Sequence, residues 1–259
     1  MPEILEVEAA RRVLDAHALD REIARVHAPD TWFLKRGTTP AALRHALIGN
    51  KFASARRTGK QIILDTADPD TRLGVHLGMS GRVIVDGEEA GDPRPRVDRD
   101  RWDRFSIAFE DGGRMTLRDS RRLGRVRLEP AIERLGPDAA EISRKDFRAR
   151  VARSRMSVKA RIMDQKVLAG VGNLLADEAL WRARIDPNRP ADDLSEDELD
   201  RLRVAVRAAN RSAIAGGGVH TGKVIPARRR DGVCPRCGTA MARGTIGGRT
   251  TYWCPAEQV

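Results

Sequence analysis

The stretch "KARIMDQKVLAGVGNLLADEALWRARIDP", residues 159–187, carries the most specific pattern in the chain. Two helix-forming runs flank "AGVGN" at 169–173, so the segment reads as helix, two turns, helix. Gly170 and Gly172 supply backbone conformations that other residues reach only with strain. Asn173 stands at the start of the second helix, where backbone N–H groups and a side-chain amide can hold a phosphate. Taken alone, Gly-x-Gly between two helices serves equally as a tight connection.

Working outward, residues 144–215 are mostly helix formers at helical spacing. The preceding "EPAIERLGPDAAEIS" contains two prolines and reads as a linker. Further upstream, from Gln61 to Glu129, the pattern turns to strands. Phe105, Ile107 and Phe109 alternate with polar residues, and "DGG" at 111–113 offers a hairpin turn. Short runs at 61–65, 72–79, 81–86 and 125–128 behave alike. Before them, Glu3 to Leu19 carries Leu5, Ala9 and Val13 at the spacing of an amphipathic helix, with Glu3 and Glu6 on one face. Acidic residues also favour a helix's first turn for electrostatic reasons alone. Downstream, "AGGGVHTG" at 215–222 reads as a flexible joint before a short cysteine module.

The expected class is α+β multidomain. A two-layer antiparallel β-sandwich flanked by helices spans 1–130, a linker 131–143, a helix–two-turn–helix DNA-binding domain 144–215 and a β-hairpin finger 216–259.

Charge narrows the partner. Lys+Arg 48 against Asp+Glu 37 leaves +11, which points to a polyanion, nucleic acid before an acidic membrane surface. A solvated arginine-rich face is the plainer alternative. No apolar run reaches the roughly 18 residues of a membrane span, and no signal peptide precedes the acidic start, so the cytoplasm is expected. The three cysteines all follow position 233, which argues against a disulfide scaffold.

The opening Met1-Pro2-Glu3 has a chemical reading. Removal of Met1 leaves Pro2 as a free secondary amine, which attacks an aldehyde-level carbon to give an iminium. Glu3 beside it can donate and accept protons.

Together, the Pro-Glu start, the helix–two-turn–helix and the cysteine finger resemble the formamidopyrimidine-DNA glycosylase/endonuclease VIII family, in the right order along essentially the whole chain. The resemblance implies a bifunctional DNA glycosylase and apurinic/apyrimidinic lyase of base-excision repair. Pro2 would be the nucleophile, Glu3 the proton shuttle, and Glu6 a support for Glu3 or the lesion. "RRTGKQIILD" (56–65) resembles the family strand with its essential lysine, here Lys60. "HLGMSGRV" (76–83) resembles the loop with an intercalating methionine, here Met79, and "RDSRRLGRVRL" (118–128) the segment supplying Arg121 and the wedge Leu123. An enzyme that takes a base out of the stack must fill the hole, and long apolar side chains with a guanidinium suit that task. His76, Lys159, Asn173 and Arg249 resemble family DNA contacts. The implied partner is damaged double-stranded DNA, bound by a monomer in the bacterial cytosol or nucleoid.

The finger has "CPRC" at 234–237, sixteen further residues and then "CPAE" at 254–257. Cys234, Cys237 and Cys254 are candidate Zn2+ ligands, with Glu257 where the family usually has a fourth cysteine. Alternatively the fourth ligand is water, or the hairpin folds without metal. Other departures are Leu5 for a second proline, Leu123 for a phenylalanine, and a short connection before the finger. They leave the preferred lesion open. The rival reading is a catalytically silent damage-binding paralogue, marked by loss of Pro2, Glu3 or Lys60; none is lost. A ribosomal or other RNA-binding protein sharing only the helix–two-turn–helix would leave the Pro-Glu start unexplained.

Overall fold

The computed structural model describes residues 2–35, 37–91, 100–216 and 219–259. Met1 and two residues of the expected 215–222 joint, 217 and 218, therefore lie outside the described residues. The chain divides into two units, Met1–Pro2 with Glu6–Ile132, and Glu3–Leu5 with Glu133–Val259. The helical segment and the finger thus share one unit, where the sequence suggests two domains.

Helix α1 (Ile4–His17), in the first unit from Glu6 onward, is followed there by β1 (Ile23–His27), α2 (Pro40–Leu47), β2 (Phe52–Thr58), β3 (Gln61–Thr66) and β4 (Arg72–His76). Then come β5 (Arg82–Val85), β6 (Glu88–Gly91), β7 (Asp103–Phe109), β8 (Arg114–Arg118) and β9 (Arg125–Leu128). Two antiparallel sheets form, ordered β1-β7-β8-β5-β6 and β2-β3-β4-β9. Ile62, Leu64, Leu73 and Val75 from one sheet and Val83, Phe105, Ile107 and Leu117 from the other share a single apolar core. That is the expected sandwich. Pro40 opens α2, and Thr39 caps it by accepting from the Ala42 N–H at 3.1 Å.

The expected strand 72–79 stops at His76. Gly78 takes φ +63, and the Gly81 N–H donates to the Leu77 carbonyl, so the chain turns there. This turn lifts Met79 out of a strand and into a loop.

In the second unit, α3 (Arg144–Val151), α4 (Val158–Met163), α5 (Asn173–Ala183) and α6 (Glu196–Gly216) bury Phe147, Ile162, Leu175, Leu180 and Leu202. Ile4 joins that core, and Leu5 packs with Leu174, Ala213 and Ile214. β10 (Ala242–Ile246) and β11 (Arg249–Trp253) form the terminal hairpin. Among the described residues, no helix is long and apolar enough to cross a membrane.

Candidate active site and nucleic-acid interface

The first turn of α5 is where the N-terminal carboxylate is held. Four N–H groups at a helix start lack intrahelical partners, and the helix dipole favours negative charge there. Glu3 occupies that position. Its Oε1 accepts from the Leu174 N–H at 2.9 Å and its Oε2 from the Leu175 N–H at 3.0 Å. Glu3 is fully buried. Gly172, the N-cap, makes room: a Cβ there would lie 2.2 Å from the Glu3 Cδ. Of the two glycines, only Gly170 has a left-handed backbone, with φ +106; Gly172 has φ −111, so space and not dihedral freedom requires it. Gln165 fixes the double turn by accepting from Gly170 N–H at 3.0 Å and donating to the Met163 and Val171 carbonyls.

Glu3 thus takes up two of the α5 N–H groups, those of Leu174 and Leu175. The Asn173 side chain donates to the Thr250 carbonyl of the hairpin at 3.0 Å, and its buried Oδ1 has no hydrogen-bond partner among the described residues. Its amide keeps a second hydrogen for another acceptor.

Lys159 departs further from expectation. Its ammonium is fully buried, 2.6 Å from Asp177 Oδ1 and 2.6 Å from Thr251 Oγ1. Burial pushes its pKa down, with Asp177 opposing. Asp177 also accepts from Arg228 at 2.7 Å and from the Tyr252 N–H. This cation lies inside, tying α4 and α5 to the hairpin. Asp177 was not singled out by sequence reasoning, although it lies in the most specific stretch; an acidic residue on a helix gives no sign of its partner.

Arg249, by contrast, is exposed where the Gly247–Gly248 turn enters β11. Cys234, Cys237 and Cys254 place their sulfurs within 4.8 Å of one another. A tetrahedral zinc with Zn–S bonds of about 2.3 Å needs sulfurs roughly 3.8 Å apart, so this donor set fits. The Trp181 indole N–H donates to Cys234 Sγ at 3.4 Å; burial opposes ionisation of that thiol, but the indole and backbone donors leave its pKa lowered. Glu257 does not join the cluster. Its carboxylate accepts from Arg236 at 3.0 Å and lies 3.5 Å from Arg184, so two guanidinium groups hold it where a metal ligand was expected. Arg236 in turn stacks on the Trp181 ring at 4.2 Å.

In the first unit, Pro2 is buried and Glu6 is 5% exposed in the first turn of α1. Lys60 is half-buried at the tip of the β2–β3 hairpin, beside Gly59 with φ +57. His76, at the end of β4, accepts at Nδ1 from the Gly78 N–H at 3.0 Å. Burial, with Arg125 and Lys60 nearby, pushes its pKa down to about 3, so it is a neutral imidazole. Met79 is half-buried in the 77–81 loop. Arg121 is exposed and Leu123 is 46% exposed in the 119–124 loop.

Residues 1–126 match the formamidopyrimidine-DNA glycosylase N-terminal domain and residues 135–223 the formamidopyrimidine-DNA glycosylase H2TH domain. A formamidopyrimidine-DNA glycosylase of a Nocardioides species is 35% identical over all of this chain and 94% of its own length. That of Paracoccus denitrificans is 34% identical over the whole of both chains. The Lactococcus lactis Fpg bound to DNA containing an abasic site superposes with a TM-score of 0.83 at 26% identity, covering 99% of each chain.

Proposed function

The chain belongs to the formamidopyrimidine-DNA glycosylase family, and on that premise we propose how its own residues perform excision and strand cleavage. It is a DNA glycosylase with apurinic/apyrimidinic lyase activity, acting in base-excision repair. The observation that carries the assignment of roles is the Glu3 carboxylate, fixed by two backbone N–H groups immediately after Pro2.

With Met1 removed, the Pro2 nitrogen attacks C1′ of the damaged nucleotide. The N–C1′ bond forms, the bond to the base breaks, and the base leaves with a proton. Glu3 assists opening of the sugar ring and exchanges protons in each later step. The resulting iminium acidifies the C2′ hydrogen; its loss breaks the C3′–O bond, and a second elimination breaks C5′–O. Hydrolysis of the iminium then frees Pro2. General acid–base assistance of this kind contributes about a hundredfold to ten-thousandfold. Glu6 supports Glu3 or the lesion.

Lys60, Arg121 and Arg249 supply positive charge toward the DNA, and His76 and Asn173 offer neutral donors. Met79 and Leu123 fill the space left by the extruded base. Zn2+ would be held by Cys234, Cys237 and Cys254, while two arginines hold Glu257 outside that cluster. The metal would cross-link the finger and take no part in the reaction. The partner is damaged double-stranded DNA, met by a monomer in the bacterial cytosol.

Borohydride reduction on an abasic-site duplex tests this reading. The methionine-free protein should become covalently attached to DNA, and Glu3→Gln should lose base excision while keeping some cleavage of preformed abasic sites. Trapping that persists in Pro2→Gly with Met1 retained, or that fails in the wild type, would remove Pro2 as nucleophile.

A further inference from the structure

The loops bearing Met79 and Leu123 are built as one object. Gly78 packs so closely that a Cβ there would lie 2.3 Å from the Leu123 carbonyl carbon and 2.4 Å from the Gly124 nitrogen. The 77–81 and 119–124 loops therefore touch backbone to backbone. Between them sits Asp119, fully buried. Its Oδ1 accepts from the Ser80 hydroxyl and from the Arg121 N–H at 3.0 Å. Its Oδ2 accepts from the Leu123 N–H at 2.9 Å and the Gly124 N–H at 2.7 Å. Two carboxylate oxygens offer about four acceptor sites, and four donors converge on them.

Asp119 is itself pinned. Its N–H donates to the Trp102 carbonyl, and its carbonyl accepts from Arg104, both at 2.9 Å. A second brace comes from Arg122, a non-glycine residue at φ +55, whose guanidinium makes two 2.7 Å bonds to Asp30. A left-handed arginine costs free energy and persists only when its surroundings hold it there.

We propose that Asp119 is the positioning residue of the wedge: it holds Met79, Arg121 and Leu123 in one preorganised arrangement, so that they enter the helix together. The proposal rests on the reading of these three as the side chains that replace the extruded base. Its physical basis is entropy. A half-exposed leucine or methionine on a loose loop must be ordered on insertion, and that cost falls on the extrusion step. Backbone N–H groups locked to a buried carboxylate place that ordering in the folding of the protein instead.

The test compares wild type, Asp119→Ala, Ser80→Ala, Leu123→Ala and the double variant Asp119→Ala/Leu123→Ala. Two readouts are used: single-turnover excision of a paired oxidised base, with a fluorescent base beside it reporting extrusion, and borohydride trapping on an abasic duplex. Asp119→Ala should slow extrusion about tenfold to a hundredfold, the scale of lost hydrogen bonds to a charged group, while trapping falls much less. Ser80→Ala should shift in the same direction by a smaller factor, and decides the matter should Asp119→Ala fail to fold. In the Leu123→Ala background, Asp119→Ala should cost less than it does in wild type, since one of the three side chains it positions is gone. Equal losses in both readouts, or fully additive losses in the double variant, would overturn the proposal and leave Asp119 as a residue of the fold. Separately, a Leu123→Ala protein that extrudes the base as well as wild type would show that the wedge reading itself is wrong.

Discussion

At the scale of single residues, His76 shows how burial alters a role read from a side-chain type. A histidine near DNA suggests a cationic phosphate contact, but this one is neutral, with its pKa down to about 3 and its Nδ1 already accepting from Gly78. The sign of the pH effect follows. The unfolded chain takes up a proton near 6.5, the folded chain only near 3, so between these values the unfolded state binds more protons. Stability should therefore fall as the pH drops through about 6.5, before carboxylates begin to protonate. Thermal melts of wild type and His76→Gln between about pH 6.5 and 4.5 measure the difference. The wild type should lose more stability across that window. Parallel curves for the two proteins would mean that His76 is protonated in the fold or titrates alike in both states. The residue scale is also where sequence is least legible. Lys159 and Asp119 are both fully buried, yet nothing in "VKARI" or "RDSRR" marks a charged side chain for the interior. Only the tertiary partners, Asp177 for one and four donors for the other, make such burial tolerable.

At the scale of elements, period-2 alternation made β7 legible, and its neighbour β8 follows the "DGG" turn, where Gly112 takes φ +90. β2 and β6 were not: "FASARRT" has two adjacent arginines and no run of alternating apolar residues, and "EEAG" is a polar edge strand. Pairing with an apolar neighbour decides such segments, and periodicity cannot see the neighbour. The helix–two-turn–helix was read correctly as an element, but the reason for Gly172 was not, because it depends on Glu3, 169 positions upstream. Gly172→Ala tests that dependence. Its Cβ would sit 2.2 Å from the Glu3 Cδ, so the carboxylate must leave the α5 N–H groups. Excision should fall by at least about tenfold, part of the general acid–base contribution. The lost cap should cost about 1 kcal/mol in melting experiments. A variant that excises normally despite the lower stability would separate Glu3's capping from its chemistry. The finger offers a second test, since the Trp181 N–H meets the Cys234 sulfur. A strong chelator should change the tryptophan emission of wild type more than that of Trp181→Phe, and should weaken DNA binding in both. Unchanged emission and affinity after chelation would mean that the three cysteines hold no metal.

At the scale of the whole molecule, the +11 charge is a statement about DNA binding and its salt dependence, not about fold. Each phosphate contact by a cation releases counterions, so log affinity should fall linearly with log salt, by about 0.9 for each phosphate neutralised. The structure sorts which cations can contribute. Arg121 and Arg249 are exposed, so Arg121→Ala and Arg249→Ala should each reduce the salt slope by about one unit. Lys159 is buried against Asp177, and His76 is uncharged. Lys159→Met and His76→Gln should therefore keep the wild-type slope, even where overall affinity drops. Lys159→Met should instead destabilise the protein, by up to about 3–5 kcal/mol as for other broken buried pairs, with Arg228 limiting the damage by remaining on Asp177. Binding isotherms on undamaged duplex at four or five salt concentrations, alongside denaturant melts, give both quantities for each variant. A slope reduced by Lys159→Met to the same extent as by Arg249→Ala would show that the lysine leaves its buried pair to reach a phosphate when DNA binds, and that the Asp177 network opens in the complex.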